Sequence, residues 1–109
     1  MRSKRTKALD ISPAVKKRVW ERDGGCCVLC GSRVNCMPNA HFIPRSQGGL
    51  GIEQNVVTLC TPMSENQCHR RFDFGGEEER SAIRAVLKAY LQSQYPGWSE
   101  KELVYRKWK

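Results

Sequence analysis

Six cysteines in 109 residues constrain this chain more than any other feature. Four of them fall into two pairs. Cys27-Val28-Leu29-Cys30-Gly31 is a CxxC knuckle, and Cys60 follows after 29 intervening residues, with seven more between it and Cys68. Two thiolates at CxxC spacing wrap one ion while the backbone turns tightly between them, and Gly31 eases that turn. A second pair closes a tetrahedral site. The arithmetic therefore favours one structural Zn2+ on Cys27, Cys30, Cys60 and Cys68 over free buried thiols, a redox CxxC or a disulfide framework. Cys26 and Cys36 are left over, either as small core residues or as alternative ligands. A chain this short buries only about two-thirds of its unfolded surface, so its marginal core benefits from such a staple.

The same reading sets the compartment. Residues 1–12 (MRSKRTKALDIS) are basic, but no secretory apolar stretch follows them. Nowhere is there the apolar run of about 20 residues that a membrane helix needs. The expectation is a cytoplasmic, non-secreted protein with no membrane partner, in which thiols stay reduced and bind metal.

Charge is distributed unevenly. The net charge of +8 sits mainly at the start of the chain, where residues 1–22 carry eight basic and two acidic side chains. Residues 23–76 balance at four against four. Basic termini are often only solubilising tails, yet this arm, with Arg2, Lys4, Arg5 and Lys7, and Lys16 and Lys17 beyond it, suits contact with a nucleic-acid backbone.

Ser12-Pro13 reads as an N-cap and first helical residue, and Gly24-Gly25 as the stop, with Val15, Val19 and Trp20 on the inward face. Short apolar runs at residues 27–29, 41–43 and 56–59, separated by Gly, Pro, Asn and Ser, predict hairpins and loops. Residues 44–54 (PRSQGGLGIEQ) predict an ordered loop between two strands. A short helix is expected over 65–74 and a longer one from Glu77, with Ile83, Val86, Leu87, Tyr90 and Leu91 as its apolar stripe. Pro96-Gly97 stops it, and the capping-box spacing of Ser99 and Glu102 predicts a last helix running to Trp108. The fold class is α+β in a single domain, 1–109. It divides into a basic arm (1–12), a zinc-braced core with its leading helix (13–76) and C-terminal helices (77–109).

The chain has only two histidines. His41 lies in AHFIPRSQGG at the end of a predicted strand, and His69 lies in CHRRFD on the predicted short helix. His69 and Asp73 are spaced i, i+4, so one helical face offers both to one cation, and Asn55 starts the strand between the histidines. A mixed N/O set suits a hydrolytic divalent metal, whereas the sulfur set suits zinc.

Taken in order, CxxC, His-x-Ile-Pro-Arg-Ser-x-Gly-Gly, Asn-x-Val-x-Leu-Cys and Cys-His-x-x-x-Asp resemble the HNH endonucleases, of the small phage and bacterial type. The resemblance covers roughly residues 20–74. It implies a ββα-metal (His-Me finger) core in which His41 is the general base, Asn55 orients strand and loop, and His69 binds a catalytic cation (Mg2+, Mn2+ or Ni2+). Asp73 stands where the family's last histidine would be, and a carboxylate is a good ligand for Mg2+ or Mn2+. Ala40 stands where the family has a liganding Asp or His. The metal is thus expected on His69 and Asp73 with water and substrate phosphate, aided by Asn39 or Asn55, and Arg45 is expected on a phosphate. The implied activity is metal-dependent hydrolysis of DNA, double-stranded by expectation, leaving a 5′-phosphate and a 3′-hydroxyl. The alternative is a catalytically weak or inactive zinc-stabilised DNA-binding or phage packaging accessory protein, alongside other nucleic-acid-processing proteins.

Overall fold

Local signals set the first helices. In the computed structural model, which describes residues 3–106, the Ser12 hydroxyl accepts the Val15 amide at 3.2 Å and starts α2 (Pro13–Arg22). Gly24 and Gly25 then turn the chain in the left-handed region. The supposed arm is itself structured: Ser3 caps α1 (Lys4–Leu9), and Leu9 is buried. Arg2 and the expected helix end at Trp108 lie outside the described residues.

The centre is an antiparallel hairpin of β1 (Cys36–His41) and β2 (Val56–Cys60), with Cys36 opposite Cys60 and His41 opposite Val56. Pro38 and Asn39 together face only Thr58, so β1 carries a bulge, a place where proline's missing N–H is tolerated. Val56 packs with Val15 and Val19 of α2. Ala40, Val57 and Leu59 join the main core with Ile83, Leu87 and Leu91 of α4 (Glu77–Gln94). The residue 27–29 run is no strand but the turn of the knuckle, closed by Gly31 N–H donating to Cys27 O at 2.8 Å.

Three expectations shift for tertiary reasons. α3 is Cys68–Phe74, shorter than residues 65–74, because Gln67 takes a left-handed conformation that redirects the chain just before it. Trp20 is 38% exposed and lies over Gly25, and Val86 is 48% exposed, so both inward faces are narrower than their patterns. Ser99 makes no cap; Glu100–Leu103 is only a 3-10 turn. There Glu100 is drawn to Arg84 and Lys88, while Leu103 O accepts the Leu50 amide.

A buried polar knot ties α2 to α4 and β2. Arg22 grips the Asp23 carboxylate through Nε and Nη2, and donates to Glu53 O, Val56 O and the Tyr95 hydroxyl. Asp23 also accepts the Thr58 amide and the Tyr90 hydroxyl. Burial works against the Arg22 charge, but Asp23 and Tyr95 hold its pKa above the usual arginine value. Burial first, and then Asp23, push the Tyr90 phenol up to about 12. The contribution of the neutral phenol is therefore complete below its ordinary value of 10 and is lost as pH rises through about 12. Tyr90→Phe is expected to lower stability by about 1.5 kcal/mol in denaturant unfolding, since a hydrogen bond to a charged acceptor goes while Arg22 remains.

Candidate functional site

The four paired cysteines converge. Their sulfur atoms all lie within 4.8 Å of one another, with Cys30 Sγ and Cys60 Sγ 3.9 Å apart. A tetrahedral zinc with Zn–S bonds near 2.3 Å separates its sulfurs by about 3.8 Å, so the cluster has the size of a four-thiolate site. The seven residues between Cys60 and Cys68 are taken up by a turn, Ser64 N–H donating to Thr61 O, and by the Gln67 reversal, which returns Cys68 to the end of β2. Cys68 N–H donates to Cys60 Sγ at 3.1 Å.

Burial pushes the Cys27 and Cys68 thiols up. Burial also acts on Cys30, but the Asn66 side chain and the Ser32 backbone bring it down to about 7, which favours its thiolate near neutral pH. Cys26 and Cys36 stand outside the cluster. Cys26 Sγ donates to Asp23 O, and the buried Cys36 to Gly25 O.

Around the other end of the hairpin lies an open cleft of about 720 Å³, whose lining includes Asn39, His41, Arg45, His69, Asp73 and Arg84. Strand alternation puts Asn39 and His41 on one face and turns Ala40 into the core, where it is fully buried. His69 Nε2 and Asp73 Oδ2 are 3.2 Å apart across one turn of α3. Among the described residues the four cysteines are the only cluster of three or more His, Cys, Asp or Glu ligand atoms. His41, His69 and Asp73 share the cleft without converging on one point. Asn39 Oδ1 is buried without a hydrogen-bond partner.

His41 Nε2 is 2.8 Å from Leu9 O. Burial chiefly lowers the His41 pKa below 6.5, reinforced by the charges of Arg45 and His69 and opposed by the Leu9 bond and Asp73. Asn55, fully buried, staples the loop that follows His41: Oδ1 accepts Ile43 N–H, and Nδ2 donates to Ile43 O and Leu50 O. Gly49 and Gly51 explain why that loop is glycine-rich. A Cβ would sit 1.7 Å from Ile43 O at Gly49 and 2.0 Å from Asp10 O at Gly51.

A second cleft of about 570 Å³ adjoins the first, sharing Asn39, His41 and Arg45, and is lined also by Lys7 and Lys16. Arg45, expected on phosphate, pairs with Asp10 at 2.8 Å. Lys4, Arg5 and Lys17 are exposed on α1 and α2. The part played by Leu9 and Asp10 was not visible in the sequence, since a backbone carbonyl leaves no compositional mark. No helix among the described residues is long and apolar enough to cross a membrane. Searches against family models, curated proteins and solved structures give no match for this chain.

Proposed function

We propose that this chain is a metal-dependent DNA endonuclease of the HNH type, braced by one zinc on Cys27, Cys30, Cys60 and Cys68. The observation that carries this reading is the single cleft in which a neutral, backbone-anchored His41 faces the His69 and Asp73 pair. The donors there fit a hard divalent cation: an imidazole nitrogen, a carboxylate, and the unpaired amide oxygen of Asn39. His69 and Asp73 would hold the cation, and Asn39 takes the place of the usual ligand that Ala40 cannot provide. Bound there, it would stabilise charge on the phosphoryl and leaving oxygens.

The protein's own part is proton transfer and positioning. His41 takes a proton from water as the oxygen attacks phosphorus, the bond to the 3′-oxygen breaks, and that oxygen takes a proton from solvent, leaving a 5′-phosphate and a 3′-hydroxyl. Asn55 holds the loop behind His41 in register. Lys7 and Lys16 offer flanking phosphates a basic cleft that meets the catalytic one at His41, so binding weakens steeply with salt.

Two measurements test the reading. Zinc-loaded protein should bind Mn2+ in a titration, and His69→Ala should weaken that binding at least tenfold with zinc content unchanged. The acid limb of the nicking rate should have its midpoint below pH 6.5, because the base is held neutral by burial. Salt-sensitive DNA binding with no cleavage under any divalent metal would instead assign the fold to a binding module.

A further inference from the structure

The segment read from sequence as a basic arm suited to a nucleic-acid backbone is docked against the loop that follows His41, and its contacts fall on His41 itself. Leu9 closes α1, so its carbonyl has lost helical partners. The amide that would otherwise satisfy it four residues on belongs to Pro13, which has no N–H. His41 Nε2 fills that vacancy at 2.8 Å. Three further contacts keep the carbonyl in place. Gly51 N–H donates to Ala8 O at 2.9 Å, Asp10 pairs with Arg45 at 2.8 Å, and the Leu9 side chain is 2% exposed. The fit is close enough that Gly51 tolerates no Cβ.

We propose that residues 3–10 form a positioning strap whose Leu9 carbonyl holds His41 as the Nε2–H tautomer, leaving Nδ1 as the ring nitrogen with a lone pair. A carbonyl only accepts, so a neutral His41 must place its one ring proton on Nε2 to keep the bond. The ring is thereby fixed in rotation and in tautomer, by a segment more than thirty residues away in the chain. Leu9 acts through its backbone and touches no reacting atom; it is a positioning residue. The proposal rests on the nuclease reading for its catalytic consequence, but the tautomer itself does not depend on that reading.

The test uses full-length, zinc-loaded protein with 15N-labelled histidine, observed at about pH 8, where an ordinary histidine is neutral. In the wild type, His41 should show one protonated nitrogen, Nε2, and one bare nitrogen, Nδ1. Gly51→Ala should push Asp10 and Leu9 away and convert His41 to a mixture of tautomers, with a fall in nicking rate of roughly 10- to 100-fold from lost orientation. Asp10→Ala, which frees Arg45 without touching the core, should shift the tautomers in the same direction by less and serves if Gly51→Ala does not fold. His69 should be unchanged in both. An Nδ1–H or mixed wild-type His41, or variants that keep the wild-type tautomer, would overturn the strap. Absence of nicking in a wild type with the Nε2–H tautomer would overturn the nuclease reading and leave the strap standing.

Discussion

Stripping the metal from the four-cysteine cluster is expected to unfold the protein. Cys27 and Cys30 lie in a turn with little regular structure, Cys60 ends β2 and Cys68 begins α3, so a zinc ion bound to their sulfurs ties three separate segments together. Apparent zinc-binding free energies for such sites are about 10–16 kcal/mol near neutral pH, as large as the entire 5–15 kcal/mol stability of a typical domain. Without the cation the sulfurs hold their protons, because burial disfavours the thiolates of Cys27 and Cys68, and the cluster loses the ion that joins it. Far-UV circular dichroism should show loss of structure on adding a strong chelator, full retention in reductant alone, and recovery when zinc is restored. Cys60→Ser should behave as the chelated protein does. Because zinc competes with protons for the sulfurs, the chelator needed should fall as pH drops. Unfolding by reductant alone would mean that the cysteines are joined to one another.

What the sequence revealed about this molecule depended on the range of the forces involved. Ser12, Pro13 and Gly24 mark the limits of α2 because capping and turn conformation are decided within a few residues. The CxxC knuckle and the His69–Asp73 pair were legible for the same reason. The Asn55 staple was implied only by resemblance, and its three hydrogen bonds give it physical content.

Long-range contacts are what pattern alone could not supply. The Ser99 and Glu102 spacing suggested a helix, but Leu103 O is committed to Leu50 and Val104 bridges Gly49, which is extended pairing that a helix cannot make. Val86 has the period of a core residue, yet it stands at the edge of the stripe and is left 48% exposed. The basic residues of 1–12 suggested an arm for a nucleic-acid backbone, and the single buried Leu9 that docks it against the protein carried too little signal to show that packing. The Arg22 knot was unreadable for the same reason: its partners Glu53, Val56, Tyr90 and Tyr95 lie 31 to 73 residues from it along the chain.

His41→Ala carries the second large expected effect. Removing a positioned general base typically costs a factor of about 10² to 10⁴. His41 should fall in that range because its ring is pinned by the Leu9 carbonyl and its pKa is lowered, chiefly by burial. The cost to folding should be small, since the variant loses one hydrogen bond at a half-buried position and leaves the cysteines, Asn55 and the Arg22 knot intact. His69→Ala should also lower the rate, but through weaker cation binding, so that excess Mn2+ restores part of it; excess metal should not rescue His41→Ala.

The most direct measurement is conversion of supercoiled plasmid to nicked circles by zinc-loaded wild type and His41→Ala, each with Mg2+, Mn2+, Ni2+ or chelator, at matched zinc content and thermal stability. The nuclease account predicts nicking by the wild type that requires a divalent cation, leaves 5′-phosphate ends, and drops by at least about 100-fold in His41→Ala. Equal cleavage by both proteins, or none by the wild type with any of the three metals while DNA is still bound, would contradict it.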